Sequence, residues 1–307
     1  ATAADGCGTA TWQPPVESDV IEGCGHTSTT TYTFSVQDDC GNTASVSYTF
    51  TIEDTTAPAL TAASDTTVEC DGSGNTTQFE AWLAGHGGAT ATEACGEVTW
   101  SHNHSALSDG CGETGSTTVT FYATDACSNV ESVSATFTIV DTMAPLLTAA
   151  EDTTTECDGS GNTAQLNAWL AGHGGANATD ACSAVTWSDD FVALGEGCAA
   201  TGTVSVWFVA TDACGNADST EASFTIEDTL APTITVMASD TSAECDGAGN
   251  GDQLTAWLNN HGGASATDAC SGPVGDADWS YHPNPAELSN ACAETGGIAV
   301  WFVATDA

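Results

Sequence analysis

Apolar and polar residues alternate over two long stretches in each part of the chain. TTVTFYATDA (117–126) carries Val119, Phe121 and Ala123 at alternate positions, and SVSATFTIVD (132–141) carries Val133, Ala135, Phe137 and Ile139, with mostly Thr and Ser between them. A period of two in β-branched and aromatic residues predicts strands, and the short Cys-Ser-Asn connection predicts a hairpin. EVTW (97–100) predicts a further strand. One segment runs on a different period. In NTTQFEAWLAGHGG (75–88), Phe79, Trp82 and Leu83 share a helical face. Asn75 or Thr76 can cap the start, and Gly85, Gly87 and Gly88 can end it. A short helix over about 77–85 is predicted, packed on the sheet by Trp82.

These motifs return in the same order at one period. Cys70, Cys157 and Cys245 stand 87 and 88 residues apart, as do Cys95, Cys182 and Cys270. Pro58, Pro145 and Pro232 stand 87 apart in IEDTTAP, IVDTMAP and IEDTLAP. A full repeat has four cysteines. Cys7 aligns with Cys95, and the final ATDA stops one residue short of a fourth cysteine, so the chain reads as a window on a longer array. The expected organisation is a partial repeat over 1–54, complete repeats over 55–141 and 142–228, and a partial repeat over 229–307. The expected fold is all-β: tandem immunoglobulin-like β-sandwich repeats, each with one short helix, arranged as an extended rod.

Composition narrows the function. The chain of 307 residues has 42 Asp plus Glu and no Lys or Arg, giving a net charge of −42. There is no lysine for a Schiff base, no arginine for a phosphate and no basic patch, so nucleic acid and anionic membranes are repelled. High acidity can signal disorder, but nine Trp, nine Phe and 41% hydrophobic residues supply cores. Fourteen cysteines at regular spacing point to disulfides and an oxidising, extracellular location. No apolar run approaches the roughly 18 residues of a membrane helix.

ECDGSGN (69–75) returns at 156–162 and, as ECDGAGN, at 244–250. Its alternate oxygen-bearing residues resemble the start of a calcium loop. An EF-hand needs Gly at the sixth position and Glu at the twelfth, where Thr76 and Trp82 stand. The segment is therefore read as a turn with an Asx bond that leads into the helix cap.

Together, ECDGSGNT, AWLAGHGGA, ATDAC, VTW, TVTFYATDACSN and SATFTIVDTMAP resemble the four-cysteine, hyalin-repeat-like (HYR-like) domains of very large Bacteroidetes cell-surface adhesins, including gliding-motility adhesins. The resemblance covers the whole chain. It implies an immunoglobulin-like fold, secretion to the bacterial cell surface and a role in adhesion or gliding. It also implies O-glycosylation at Asp-Thr or Asp-Ser sites, matched here at Thr55, Thr66, Thr142, Thr153, Ser219 and Thr229.

Four cysteines allow three pairings. In an immunoglobulin-like sandwich the second and fourth would lie at one end, and the first and third at the other. That topology predicts Cys70–Cys111, Cys95–Cys127, Cys157–Cys198, Cys182–Cys214, Cys7–Cys40 and Cys245–Cys292, and leaves Cys24 and Cys270 without partners. Domains strung end to end would bring each linker to the second-and-fourth end of the next domain. Glu53 and Asp54 would approach Glu93 and Asp125, and Asp141 would approach Asp180 and Asp212. Glu227 and Asp228 would approach Asp268 and Asp306. Carboxylates that converge without a basic residue call for calcium, with its six to eight oxygen ligands. Calcium is the expected cofactor, with no organic one.

Other candidates have plainer readings. His86, His173 and His261 in HGG read as aromatic caps at the helix end. His102 and His104 form a pair that the other repeats lack. Trp100, Trp187, Trp279, Trp207 and Trp301 read as core residues rather than sugar platforms. Asp38–Asp39 and Asp189–Asp190 lack the two-sided cleft of a glycosidase, and no GxSxG, HExxH or phosphate loop occurs. The expected function is a non-enzymatic structural stalk of a long adhesin or filament. Its partners would be other repeats of the same chain. The alternatives are a module that binds glycans or surfaces through its loops, and a self-assembling extracellular filament or sheath subunit. Neither nucleic acid nor direct membrane contact is expected.

Overall fold

The computed structural model describes residues 2–194, 201–282 and 296–306. The chain divides into two compact units, one of Ala1–Met143 with Ala181–Ser183, the other of Ala144–Asp180 with Ala184–Ala307. No described helix is long and apolar enough to cross a membrane.

In the first unit the predicted hairpin forms from Gly115–Thr124 and Val130–Val140, in register from Gly115 opposite Ile139 to Thr124 opposite Val130. Thr99–His102 pairs antiparallel with the first of these strands. Thr66–Glu69 pairs in parallel with the second, placing Val68 opposite Ile139 and Glu69 opposite Val140. The result is a mixed four-stranded sheet.

Alternation sorts its two faces. Val119, Phe121, Ala123 and Phe137 are 0% exposed. On the outer face Thr118 and Thr136 lie with their hydroxyls 3.0 Å apart, and Thr120 and Ser134 lie 2.9 Å apart. The helix Thr76–Ala84 covers the inner face. The Phe79 ring lies 5.1 Å from that of Phe137, and Trp82 lies 5.3 Å from Phe121. Each such side chain contributes ~1.5–3 kcal/mol on burial. A short ladder of Ala59–Leu60 with Ala91–Thr92 completes the second layer. The helix stops at Gly85. Beyond it Gly87, at φ 64°, lies so close to Phe121 that a Cβ would come within 3.1 Å of the ring.

The same unit holds an earlier hairpin, Ser28–Gln37 with Thr43–Ile52. Thr11–Trp12, Val16–Glu17 and Ile21–Glu22 pair along the free side of its first strand. Thr43–Ile52 is exposed throughout, and among the described residues nothing pairs with its other edge.

The second unit repeats the plan. Gly202–Thr211 and Ala217–Glu227 form the hairpin, flanked by Thr186–Asp189 and by the parallel strand Thr153–Glu156. Trp169 of the helix Thr163–Ala171 lies 5.2 Å from Phe208. Farther on, Thr233–Val236 pairs with Ser265–Asp268, and Trp279–His282 pairs with Trp301–Ala304. Beside them is the helix Gly251–Asn259, whose Trp257 lies 5.3 Å from Phe302.

Two predicted core residues lie outside the core. Trp207 is 45% exposed and Trp301 72%. Parity is the reason: Val206 and Phe208, on either side of Trp207, are both 0% exposed and occupy the inner face. Trp100, Trp187 and Trp279 are half-buried, each stacked on the histidine of its HGG turn at 4.2, 4.3 and 4.8 Å.

Candidate functional site

The sheet topology decides where the cysteines emerge. Because Thr66–Glu69 runs parallel to Val130–Val140, Cys70 leaves beside the end of that strand, and its N–H donates to the Val140 carbonyl at 2.8 Å. Gly115 starts its strand beside Ile139, so Cys111 belongs to the same end. Cys95 precedes Thr99–His102, and Cys127 sits in the hairpin turn, at the opposite end. This is the distribution expected from the sequence.

The pairing is different. The disulfides are Cys24–Cys127, Cys70–Cys182 and Cys157–Cys270, with Cα atoms 5.0, 6.0 and 5.6 Å apart. Each joins one repeat to the next, first cysteine to second or third to fourth. Cys111 and Cys214 are also disulfide-bonded. The expected bonds Cys70–Cys111, Cys95–Cys127, Cys157–Cys198 and Cys182–Cys214 are therefore corrected, because Cys70, Cys127, Cys157 and Cys182 have partners in a neighbouring repeat. Cys7–Cys40 is corrected too, since both are exposed thiols, as is Cys245. Cys198 and Cys292 lie outside the described residues. Cys24 and Cys270, expected to be unpaired, are both bonded. The physical reason is that cysteines at one end of a repeat face across the junction rather than toward each other.

Two loops make that junction fit. In ECDGSGN the Asp71 Oδ1 accepts from the N–H groups of Ser73 and Asn75 at 2.8 and 3.0 Å and from the Ser73 hydroxyl at 2.8 Å. Asn75, wholly buried at φ 50°, donates its amide to the Glu69 carbonyl at 2.7 Å. The loop is thus the Asx turn predicted, although the Asn75 side chain reaches back to the strand instead of capping the helix. Its shape brings Gly72, at φ 71°, against the chain at Cys182. A Cβ there would lie 2.6 Å from the Ala181 carbonyl oxygen. Gly159 meets the Ala269 carbonyl in the same way. The loop at the third cysteine grips the neighbouring carbonyl: His26 N–H donates to that of Cys95 at 3.1 Å, and Glu113 N–H to that of Cys182 at 2.9 Å.

A further clasp escaped the sequence reading. Glu69 accepts from the Thr142 N–H at 2.7 Å and from its hydroxyl at 2.9 Å, and Glu156 accepts both from Thr229 at 2.8 Å. The available signal was that Glu before the first cysteine recurs together with Thr after the linker acid. Thr142 and Thr229 thus have engaged hydroxyls. Thr66 and Thr153 are half-buried in strands, while Thr55 and Ser219 are exposed.

The junction carboxylates converge within each unit. Asp54, Glu93 and Cys95 offer ligand atoms within 4.8 Å of one another, as do Asp228, Asp268 and Asp306, and Glu156, Asp228 and Cys270. Asp125 stands behind the first group. Asn129 links it to the linker, donating to the Asp125 Oδ2 at 2.8 Å and to the Asp54 carbonyl at 3.2 Å. Glu53 and Glu227 are exposed strand-end residues outside these groups. Asp141 follows the last strand of the first unit, and Asp180 and Asp212 belong to the second.

Burial, neighbouring charge and hydrogen bonding shift these groups in different directions. Burial, then the neighbouring Asp268, Asp306 and Glu156 carboxylates, push Asp228 above the usual carboxylate range. Burial pushes the Cys95 thiol up as well, helped by Asp54, Glu93 and Asp125. Burial also raises Asp125 and Asp212, but the side-chain and backbone hydrogen bonds of Asn129 and Asn216 outweigh it and hold both carboxyls below their usual range.

The Asp228 carboxylates fit a hard cation, whereas the Asp54 group also offers the free Cys95 thiol. The Asp54 Oδ2 is buried without a hydrogen-bond partner. At the Asp228 group the cysteine sulfur is in a disulfide, which leaves an oxygen donor set. Oxygen donors without thiolate or imidazole suit calcium rather than zinc.

No known family profile matches the chain, and no curated protein matches it. Solved structures similar to it include Drosophila N-cadherin EC1-4, at 10% identity over 65% of this chain and 58% of that one, with a TM-score of 0.26. Protocadherin Gamma B2 domains 3-6 match at 14% identity over 90% and 75%, with a TM-score of 0.29. The protocadherin GammaB4 extracellular domain matches at 11% identity over 97% and 55%, with a TM-score of 0.30.

Proposed function

We propose that this chain is part of the non-enzymatic stalk of a long secreted cell-surface adhesin or filament of the HYR-like kind, with calcium at the junction carboxylates. The observation that supports it is the disulfide pattern. Cys24–Cys127, Cys70–Cys182 and Cys157–Cys270 each join one repeat to the next. A bond inside a domain protects that domain, whereas a bond between neighbours resists their separation under tension. Disulfides also need an oxidising compartment. Gliding motility and O-glycosylation at Thr55 or Ser219 are finer parts of the same proposal.

Single-molecule pulling from both ends tests it. With the disulfides intact, the shortest covalent path follows residues 1–24, 127–157 and 270–307. The oxidised chain should therefore extend to roughly a third of the reduced length. Equal extension before and after reduction would sink the stapled-stalk reading.

A glycan-binding module is the second reading, favoured by the outward indoles of Trp207 and Trp301. A glycan array probed with the intact chain and with Trp207→Ala decides it. Signal lost in the variant supports binding, and a blank array removes the reading.

A further inference from the structure

We infer that the hairpin Ser28–Gln37/Thr43–Ile52, together with Cys95, is the seat for an E-C-D-G strand, loop and helix of the kind that covers the hairpin Gly115–Thr124/Val130–Val140, closed by a disulfide to Cys95.

The first ground is an uncovered core face. Phe50 and Ile52 occupy the hairpin places that Phe137 and Ile139 hold in the next repeat. Phe137 and Ile139 are 0% and 3% exposed, but Phe50 is 62% and Ile52 46%. Tyr32, Phe34, Tyr48 and Phe50 line a hollow of ≈ 490 Å³ there. The side chains that cover the equivalent face are Phe79 and Trp82 of the helix after the E-C-D-G loop.

The second ground is the open edge of Thr43–Ile52. The equivalent edge of Val130–Val140 takes Thr66–Glu69 in parallel, and that of Ala217–Glu227 takes Thr153–Glu156. Both incoming strands end in a cysteine bonded to the second cysteine of the following repeat, as Cys70–Cys182 and Cys157–Cys270. Cys95 is the second cysteine that follows this open edge, and it is a half-buried free thiol. The carbonyl of Ala94 takes the place of those of Ala181 and Ala269, against which Gly72 and Gly159 pack. An apolar face, an unpaired edge and a free thiol thus define one footprint, that of an E-C-D-G strand–loop–helix. The bond forms as two thiols pass two electrons to a disulfide oxidant such as glutathione disulfide, whose sulfurs leave with the two protons as glutathione thiols.

This inference rests on the tandem-repeat reading of the chain and adds the residues that accept a further strand, loop and helix. The test adds a synthetic peptide of residues 64–88, which carries Cys70, to the full chain in a glutathione redox buffer. The linked cysteines are then mapped by mass spectrometry. The expected product is a Cys70-peptide bond to Cys95, with slowed amide exchange across 43–52. Undirected chemistry would favour the exposed Cys7, Cys40 and Cys245 instead, because Cys95 is the least accessible of the four free thiols among the described residues. A peptide with Cys70→Ser should still slow exchange over 43–52, and one with Phe79→Ala and Trp82→Ala should not. Adducts spread over the exposed thiols, or no protection of 43–52 by either cysteine form, would overturn the inference. The pulling experiment does not use this seat, so the stalk reading and the seat can fail separately.

Discussion

Asn162 is 0% exposed, sits at φ 49° and donates its amide to the Glu156 carbonyl at 2.8 Å. The same side chain accepts from the Asp158 N–H at 3.1 Å. Asn tolerates the left-handed region that most residues avoid, and its amide satisfies two buried backbone groups. Asn162→Ala should lose about 1–3 kcal/mol, read from chemical denaturation. The carboxylates make opposite demands on pH. Asp212 is held low in the fold, so its contribution is complete above the unfolded carboxylate range and is lost as pH falls through the folded value. Asp228 is held high, so its contribution is complete in acid, below the unfolded value, and is lost as pH rises through the folded value. Without divalent cations, Asp228→Asn should therefore raise the thermal midpoint at neutral pH and leave it unchanged in strong acid. Asp212→Asn should lower it at neutral pH. The same sign for both substitutions at neutral pH would contradict this account.

At the scale of the element, the bond between Cys157 and Cys270 closes a sequence separation of 113 residues, far longer than a bond within one repeat could. Replacing both cysteines by Ser should cost about 4–5 kcal/mol, measured as a fall in the denaturation midpoint, because long loops lose the most unfolded-chain entropy when closed. A loss below ~2 kcal/mol would show that the unfolded chain is already compact there. The strands and helix were legible because alternation and 3.6-residue spacing are local. So were the ends at which cysteines emerge, since hairpin direction follows from order along the chain. Which cysteine faces which was not legible. Both Cys70–Cys111 and Cys70–Cys182 satisfy the placement of ends, and the docking of Gly72 on the Ala181 carbonyl, with the Glu113 N–H on that of Cys182, separates them. Trp207 was misplaced because size suggested a core while its position between Val206 and Phe208 set it outward. The approach of Asp54 to Glu93 follows from the order of linker and loop along the chain, whereas the Glu69 clasp on Thr142 depends on a register that no short motif encodes.

Across the whole molecule, a net charge of −42 without a single Lys or Arg leaves the carboxylates nothing but cations for neutralisation. Calcium titration by calorimetry should show binding that Asp54→Asn and Asp228→Asn each reduce. Saturation at a hundred times Kd should stabilise the fold by about 2.7 kcal/mol per site, reversed by chelator. An unchanged thermal midpoint with calcium would remove the junction sites and leave the acids as a solvated surface. The disulfides have a consequence of another kind. The intervals 24–127, 70–182 and 157–270 overlap, so every peptide bond from residue 24 to residue 270 is bridged by at least one sulfur link. A single cut anywhere in that span severs the backbone without parting the molecule. A chain nicked once by a glutamate-specific protease within it should run at full mass until a reductant is added. Damage to one link of such a polymer is survivable in the way that a braided cable outlasts a broken wire.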